Sequence, residues 1–99
     1  MDIQDLRIFA RVAAVQSLSA VGTEFGLTAG TISKRLQALE QEISARLFER
    51  TTRSVRITPE GRVLLLHVER VLDEIERARS LIEDSAGRTA GMLKIAAPT

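Results

Sequence analysis

Ninety-nine residues suffice for one small domain. Hydrophobic residues make up 44% of them and aromatics only 3%, so a core must rest on Leu, Ile, Val and Ala, a composition that favours a mostly α fold. The absence of cysteine excludes disulfide frameworks and thiolate metal sites and suits a reducing compartment, while a net charge of +1 by itself announces no polyanionic partner.

The first predicted element is a helix. Ile3, Leu6, Phe9, Ala10, Val12 and Ala13 recur at helical spacing, and Asp2 and Asp5 stand at its start, where carboxylates complement the helix dipole. Its role is core. Ser17 or Ser19 caps a second, shorter helix that turns Val21 and Phe25 inward. Gly22 inside that helix points to another helix crossing closely over it, Gly26 ends it, and Leu27 folds back onto the preceding turn. Thr28 is the N-cap of a third, longer helix whose apolar face runs Ile32, Leu36, Leu39, Ile43 and Leu47. The opposite side of its start presents Ala29, Gly30, Ser33 and Lys34, with Gln37 one turn further on. Two helices joined by a Gly-containing turn form a helix-turn-helix pattern. Small residues let such a helix end approach base edges, and hydroxyls and Lys bond to bases or phosphates.

Leu47 to Arg50 and Val55 to Ile57 are short extended candidates joined by residues 51–54. Val55 and Ile57 share one face and leave Arg56 on the other, while Arg53 falls in the loop at the tip. This is a two-stranded wing. An Arg there, with Arg50 and Arg56 at the base, favours a phosphate or minor-groove contact. Thr58, Pro59 and Glu60 then open a long helix with a capping hydroxyl, a first-turn proline and an early acid. Leu64, Val68, Val71, Ile75, Ala78 and Ile82 alternate spacings of four and three, and Leu65, Leu72 and Leu81 widen the seam. So sustained a heptad exceeds what one small domain needs; its natural use is a helix–helix dimer, the alternative being an intramolecular core helix. Residues 85–91 are a linker by composition, and 92–99 resemble one strand without a partner, so the chain is expected to stop early.

The expected architecture is therefore a winged helix-turn-helix, three helices plus a two-stranded wing, over 1–58. A linker and dimerisation helix follows over 59–86, then a hinge and first strand over 87–99. Charge follows the same division. From Lys34 to Arg62 seven basic residues stand against four acidic, a balance of +3, and from Val63 to Asp84 three against six, a balance of −3. Such a layout places one end of the molecule on phosphate and holds the other away, unless it is ordinary surface scatter. Paired recognition helices about one DNA turn apart require an interrupted palindrome. No apolar run approaches a membrane span and residues 1–5 lack the basic start of a signal peptide, so a cytoplasmic protein without membrane contact is expected.

These residues match a family. Phe9 with Val12 and Ala13, then Ser17 and Ser19, then Ser33, Leu39, Glu40, Leu47, Phe48, Arg50, Arg53, Ile57, Thr58 and Gly61 resemble the N-terminal part of the LysR-type bacterial transcriptional regulators. Gly91, Leu93 and Ile95 are similar to the first strand of that family's effector-binding domain. The resemblance implies a linker helix that pairs antiparallel in a homodimer, tetramers of complete proteins, and an activator or repressor role. It implies no cofactor here and a small-molecule effector only in the missing domain. Carried over, the start of the recognition helix (Thr28, Ala29, Gly30, Thr31, Ser33, Lys34, then Gln37) meets bases and phosphates of double-stranded DNA. Arg53 is the wing contact, Arg50 is partly structural, and Leu64, Val68, Val71, Leu72, Ile75, Ala78 and Ile82 form the dimer seam. The chain departs from the family at Ala29 and Gly30, where Gln then Pro or Ser is frequent, at Val21 and Gly22 in place of paired Ala, and at Ser44 in place of Gly.

An enzyme is a poor hypothesis. The one histidine, His67, lies on the long helix with no cysteine and no glycine-rich phosphate loop, and no nucleophile–base set exists. The serious alternative is a protein-interaction module in which the heptad helix acts and the basic wing is incidental. Only a DNA reader needs Ser33 and Lys34 facing outward at one helix start together with Arg53 on the wing.

Overall fold

The computed structural model describes residues 1–51 and 54–92, of which 86–92 as backbone only. The element order is α1 (Ile3–Val15), α2 (Leu18–Phe25), α3 (Ala29–Ile43), β1 (Phe48–Arg50), β2 (Val55–Ile57) and α4 (Pro59–Met92). β1 and β2 pair antiparallel with Phe48 opposite Ile57, Glu49 opposite Arg56 and Arg50 opposite Val55. This is the expected mostly α winged helix-turn-helix followed by a long helix.

Each helix begins where a side chain satisfies its free N–H groups. Asp2 and Asp5 close a capping box on α1, Ser17 rather than Ser19 accepts from Ala20 N at 3.1 Å, and Thr28 accepts from Thr31 N at 3.1 Å. The first three helices all stop on a left-handed residue, Gln16 (φ 62°), Gly26 (φ 70°) and Ser44 (φ 60°). At Gly26 the next amide, Leu27 N, bonds back to Gly22 O at 2.8 Å, so Leu27 does fold onto the preceding turn. Because Ser44 ends α3, Leu47 is not on the helix face predicted from its spacing. It is buried in the turn that leads into β1.

Ile8, Phe9 and Val12 of α1, Val21 of α2, and Ile32, Leu36 and Leu39 of α3 form a core with Leu47, Phe48, Val55 and Val68. Phe9 and Phe48 meet with ring centroids 5.4 Å apart and planes tilted by 57°, which ties the wing to the first helix. Arg35 reaches Asp5 at 3.2 Å, and Arg11 bonds Glu24 through two nitrogens at 2.9 and 2.8 Å. The Arg11 bond holds the Glu24 carboxyl below its ordinary range.

Gly22 sits where α2 meets the start of α3. A Cβ there would stand 2.5 Å from Leu27 O and 3.3 Å from Thr28 C, both backbone atoms that cannot swing away. Gly22→Ala therefore gains helix propensity but wedges the two helices apart. A net loss of about 2 kcal/mol is expected in urea unfolding; unchanged stability would mean the approach is looser than these distances.

Thr58 joins the wing to α4. Its buried hydroxyl donates to Arg46 O at 2.5 Å and accepts from Gly61 N at 2.9 Å, and its amide donates to Leu47 O at 2.9 Å. The helix it starts continues to Met92, past the boundary expected at 86. Gly87 and Gly91 each cost a helix only about 1 kcal/mol, and no proline intervenes before Pro98. The strand expected over 92–99 lies, from Leu93 onward, outside the described residues. Among the described residues no helix is long and apolar enough to cross a membrane.

Candidate nucleic-acid interface

Burial of Ile32, Leu36 and Leu39 fixes the rotation of α3. The side turned away carries Gly30, Lys34, Gln37 and Gln41, all exposed, with Ala29, Thr31 and Ser33 half-buried at its edges. Thr28 and Thr31 also share a hydroxyl–hydroxyl bond of 2.9 Å, so both serve the helix start before any ligand. Around Gly30 there is open space: a Cβ would find only Thr28 Oγ1, at 3.9 Å. No packing demand explains a glycine here, and its effect is to leave the end of α3 bare.

Glu40, one turn beyond Leu36, organises the joint between α3 and the wing. Its Oε2 accepts from Leu47 N at 2.8 Å and Phe48 N at 3.1 Å, and its Oε1 lies 3.5 Å from Arg50 Nη2. The other Arg50 nitrogen, Nη1, donates to Ser33 Oγ at 2.8 Å. Glu40 and Arg50 are 17% and 21% exposed, so the pair is largely shielded from water and from salt screening. Arg50 thus sits at the predicted site but is held by the fold, as its partly structural reading anticipated. What it adds is a fixed Ser33 hydroxyl on the flank of the exposed α3 face.

Between the second half of α3 and β1 lies an open groove of about 540 Å³ lined by Gln37, Gln41, Arg46 and Arg50, among others. Gln41 and Arg46 were not among the candidates. Gln41 was legible, since it lies seven residues after Lys34 and so returns to the same helix face. Arg46 contributed to the basic balance but follows a helix end that only the left-handed Ser44 reveals. A second depression, of about 270 Å³, opens between the start of α2 and the wing, lined by Ser17, Ser19, Ala29 and Ser54 among others.

The basic balance becomes sharper in three dimensions. Arg35 is paired with Asp5 and Arg50 with Glu40, whereas Lys34, Arg46, Arg56 and Arg62 are exposed with no ion pair among the described residues. Arg56 faces outward between inward Val55 and Ile57, as alternation predicted. Arg53, the predicted wing contact, lies outside the described residues.

On α4 the predicted seam divides. Val68 is 2% exposed and belongs to the chain's own core, so its assignment to a dimer interface is corrected: α4 is rotated to close the domain at that turn. Leu72 and Leu64 also pack against that core, though each keeps part of its surface open. Val71, Ala78 and Ile82 are exposed, and Ile75 is half-buried.

Residues 3–62 match the family model described as "Bacterial regulatory helix-turn-helix protein, lysR family". The chain belongs to the LysR family. An HTH-type transcriptional regulator encoded in the ibpB-leuC intergenic region of Azotobacter vinelandii is 40% identical over 96 residues, covering 97% of this chain and 67% of the relative. The regulator YcaN of Escherichia coli is 39% identical over 95 residues, covering 96% of this chain and 32% of its own length. The chain thus spans two thirds of the former and about a third of the latter. Among solved structures, the BenM DBD in complex with catB site 1 DNA is 28% identical with a TM-score of 0.82, covering 88% of this chain and 94% of that one. Oxidized OxyR of Corynebacterium glutamicum is 30% identical with a TM-score of 0.80, covering 87% and 26%. The LysR resemblance read from Ser33, Glu40, Phe48 and Arg50 therefore holds, and the network above shows what those positions do together.

Proposed function

We propose that this chain binds duplex DNA according to sequence as a homodimer, forming the DNA-binding part of a longer regulator that activates or represses transcription. The observation that carries the reading is the exposed side of α3, where Gly30, Lys34 and Gln37 lie opposite the core beside a wing whose exposed Arg56 has no ion pair among the described residues. One helix face with an unpaired cation and an amide, flanked by a fixed hydroxyl, supplies both phosphate and base-edge contacts. The similar BenM DBD was solved on DNA. The chain acts by binding rather than catalysis and needs no cofactor. A small-molecule effector belongs to a domain outside this sequence, and the site of action is the cytoplasm, where bacterial DNA lies.

The dimer follows from α4. Val71 and Ile75 lie symmetrically about position 73, and so do Leu64 and Ile82. A two-fold antiparallel pairing centred there sets Val71 against the partner's Ile75 and Leu64 against the partner's Ile82. Two heads related by that axis read an interrupted palindrome. Complete proteins assemble further, into tetramers.

Salt dependence tests the contacts. Lys34→Ala is expected to weaken binding on every duplex and to flatten the slope of log K against log salt by about 0.9, one phosphate's worth; Arg53→Ala should do the same at the wing. Gly30→Gln, which the open space admits, should instead change the preferred bases. Unchanged slopes for both cations would remove the DNA-contact assignment of α3 and wing.

A further inference from the structure

We propose that the groove between the second half of α3 and β1 is a seat for one phosphate of the DNA backbone, gripped by Arg46 together with the side-chain amides of Gln37 and Gln41. The seat rests on the DNA-binding reading of α3 and adds a contact away from both the helix start and the wing tip. Gln41 and Arg46 are not among the residues that the family resemblance carries into the site, yet both line this groove of about 540 Å³.

The groove follows from how the wing lies on the helix. β1 runs antiparallel to α3: Arg50 meets Ser33, and two turns further along the helix the amides of Leu47 and Phe48 meet Glu40. The cleft so formed has buried Phe48 and the shielded Glu40–Arg50 pair at its bottom, with exposed Gln37, Gln41 and Arg46 at its rim. Its opening continues the face that carries Lys34, because Gln41 lies on the same side of the helix, about 10 Å further along the axis. The major groove is about 12 Å wide, so a backbone strand at its edge passes within reach of residues this far from the helix start.

Three charged groups line the groove. Glu40 turns one oxygen to the amides of Leu47 and Phe48 and the other to Arg50, so the charges of Glu40 and Arg50 offset each other. Arg46 is left over, exposed and without an ion pair among the described residues, and it makes the groove cationic. The side-chain amides of Gln37 and Gln41 likewise have no partner among the described residues, which leaves their N–H groups for a phosphate oxygen. The carbonyls that end α3 would repel an anion, but Gln41 O accepts from Ser44 N at 3.3 Å and Glu40 O from Ala45 N at 3.1 Å. Arg46 also springs from a fixed backbone. Left-handed Ser44 turns the chain two residues before it, and its own carbonyl accepts the Thr58 hydroxyl. A guanidinium on so constrained a backbone loses little freedom on contact, and its fork of donors suits phosphate oxygens.

Arg46→Ala, titrated with a random-sequence duplex across a salt series, is expected to flatten the slope of log K against log salt by about 0.9, roughly an eightfold loss of affinity at 0.1 M salt. Arg46→Lys keeps the charge and should restore the slope. Neither change should move the melting temperature, since only the backbone of Arg46 is bonded to the fold. On a duplex recovered by selection, replacing single phosphates in turn by uncharged methylphosphonate locates the contact. One replacement should weaken the parent chain and leave Arg46→Ala indifferent, at a different phosphate from the one coupled to Lys34→Ala. A flattened slope with no phosphate coupled to Arg46 would mean that this arginine acts only through its long-range field, and would overturn the seat. An unchanged slope for Arg46→Ala would overturn it too. If Lys34→Ala still flattens the slope, the reading of DNA by α3 stands without the seat; if neither variant does, both fall.

Discussion

Replacing Val71 and Ile75 together with Asp is expected to give a folded monomer that still recognises half of its site. Val71 is 43% exposed and neither residue belongs to the core cluster, so the substitutions leave the winged domain intact. In the paired helix, however, they set four carboxylates at the centre of an apolar seam, where a like-charged cluster has no partner and no water. Binding to a duplex with two half-sites then loses the advantage of linked heads, which is worth on the order of 10²-fold or more. Binding to a single half-site should stay within about threefold, since the reading face is untouched. Sedimentation and anisotropy titrations on the two duplexes measure both effects. A dimer that survives would place the interface away from the α4 seam.

The second large effect is expected at Glu40, far from that seam. Glu40→Ala takes the acceptor from Leu47 N and Phe48 N, on two residues that are 1% exposed, and the anionic partner from Arg50. Two buried N–H groups left unsatisfied cost about 3 kcal/mol together, a fall in melting temperature on the order of 15 °C for a domain of this size. Glu40→Gln keeps an oxygen for both amides and sets an NH2 group against the guanidinium, so roughly half that loss is expected. DNA affinity should fall further than stability alone explains, because Arg50 would no longer hold the Ser33 hydroxyl in place. Equal melting curves for Glu40→Ala and the parent chain would mean that the network contributes nothing to the joint.

Much of this molecule is written locally, and those parts were legible. The caps at Ser17 and Thr28, the left-handed Gly26, the tight approach at Gly22 and the alternation of Val55, Arg56 and Ile57 each follow from a residue's own stereochemistry and its near neighbours. What escaped depends on contacts between distant segments. Spacing alone carried Leu47 onto the third helix, because Ser44 is an unusual residue to end one; it takes a left-handed conformation that glycine adopts at less cost. Val68 fits a heptad and a core stripe equally well, and only the packing of α1 and α3 against α4 decides between them. The Ser33–Arg50–Glu40 network joins residues up to 17 positions apart, which no periodicity encodes.

At the interface itself, the start of α3 was legible because Gly30, Lys34 and Gln37 are placed by the apolar rhythm of Ile32, Leu36 and Leu39. Gln41 follows the same rhythm one turn later. Arg46 needed the helix end, and the groove it lines with Gln41 needed the fold, since one wall is α3 and the other the turn and strand after Ser44.

The central claim is that one face of α3, presented twice, reads a DNA sequence. Selection of bound duplexes from a random pool, followed by anisotropy titration of the recovered sequence across a salt series, tests it most directly. The expected result is an interrupted palindrome with half-sites about one helical turn apart, bound with a steep salt slope that Lys34→Ala makes shallower. Recovery of no preferred sequence, with binding indifferent to salt, would contradict it and leave α4 as the functional element of a protein-interaction module.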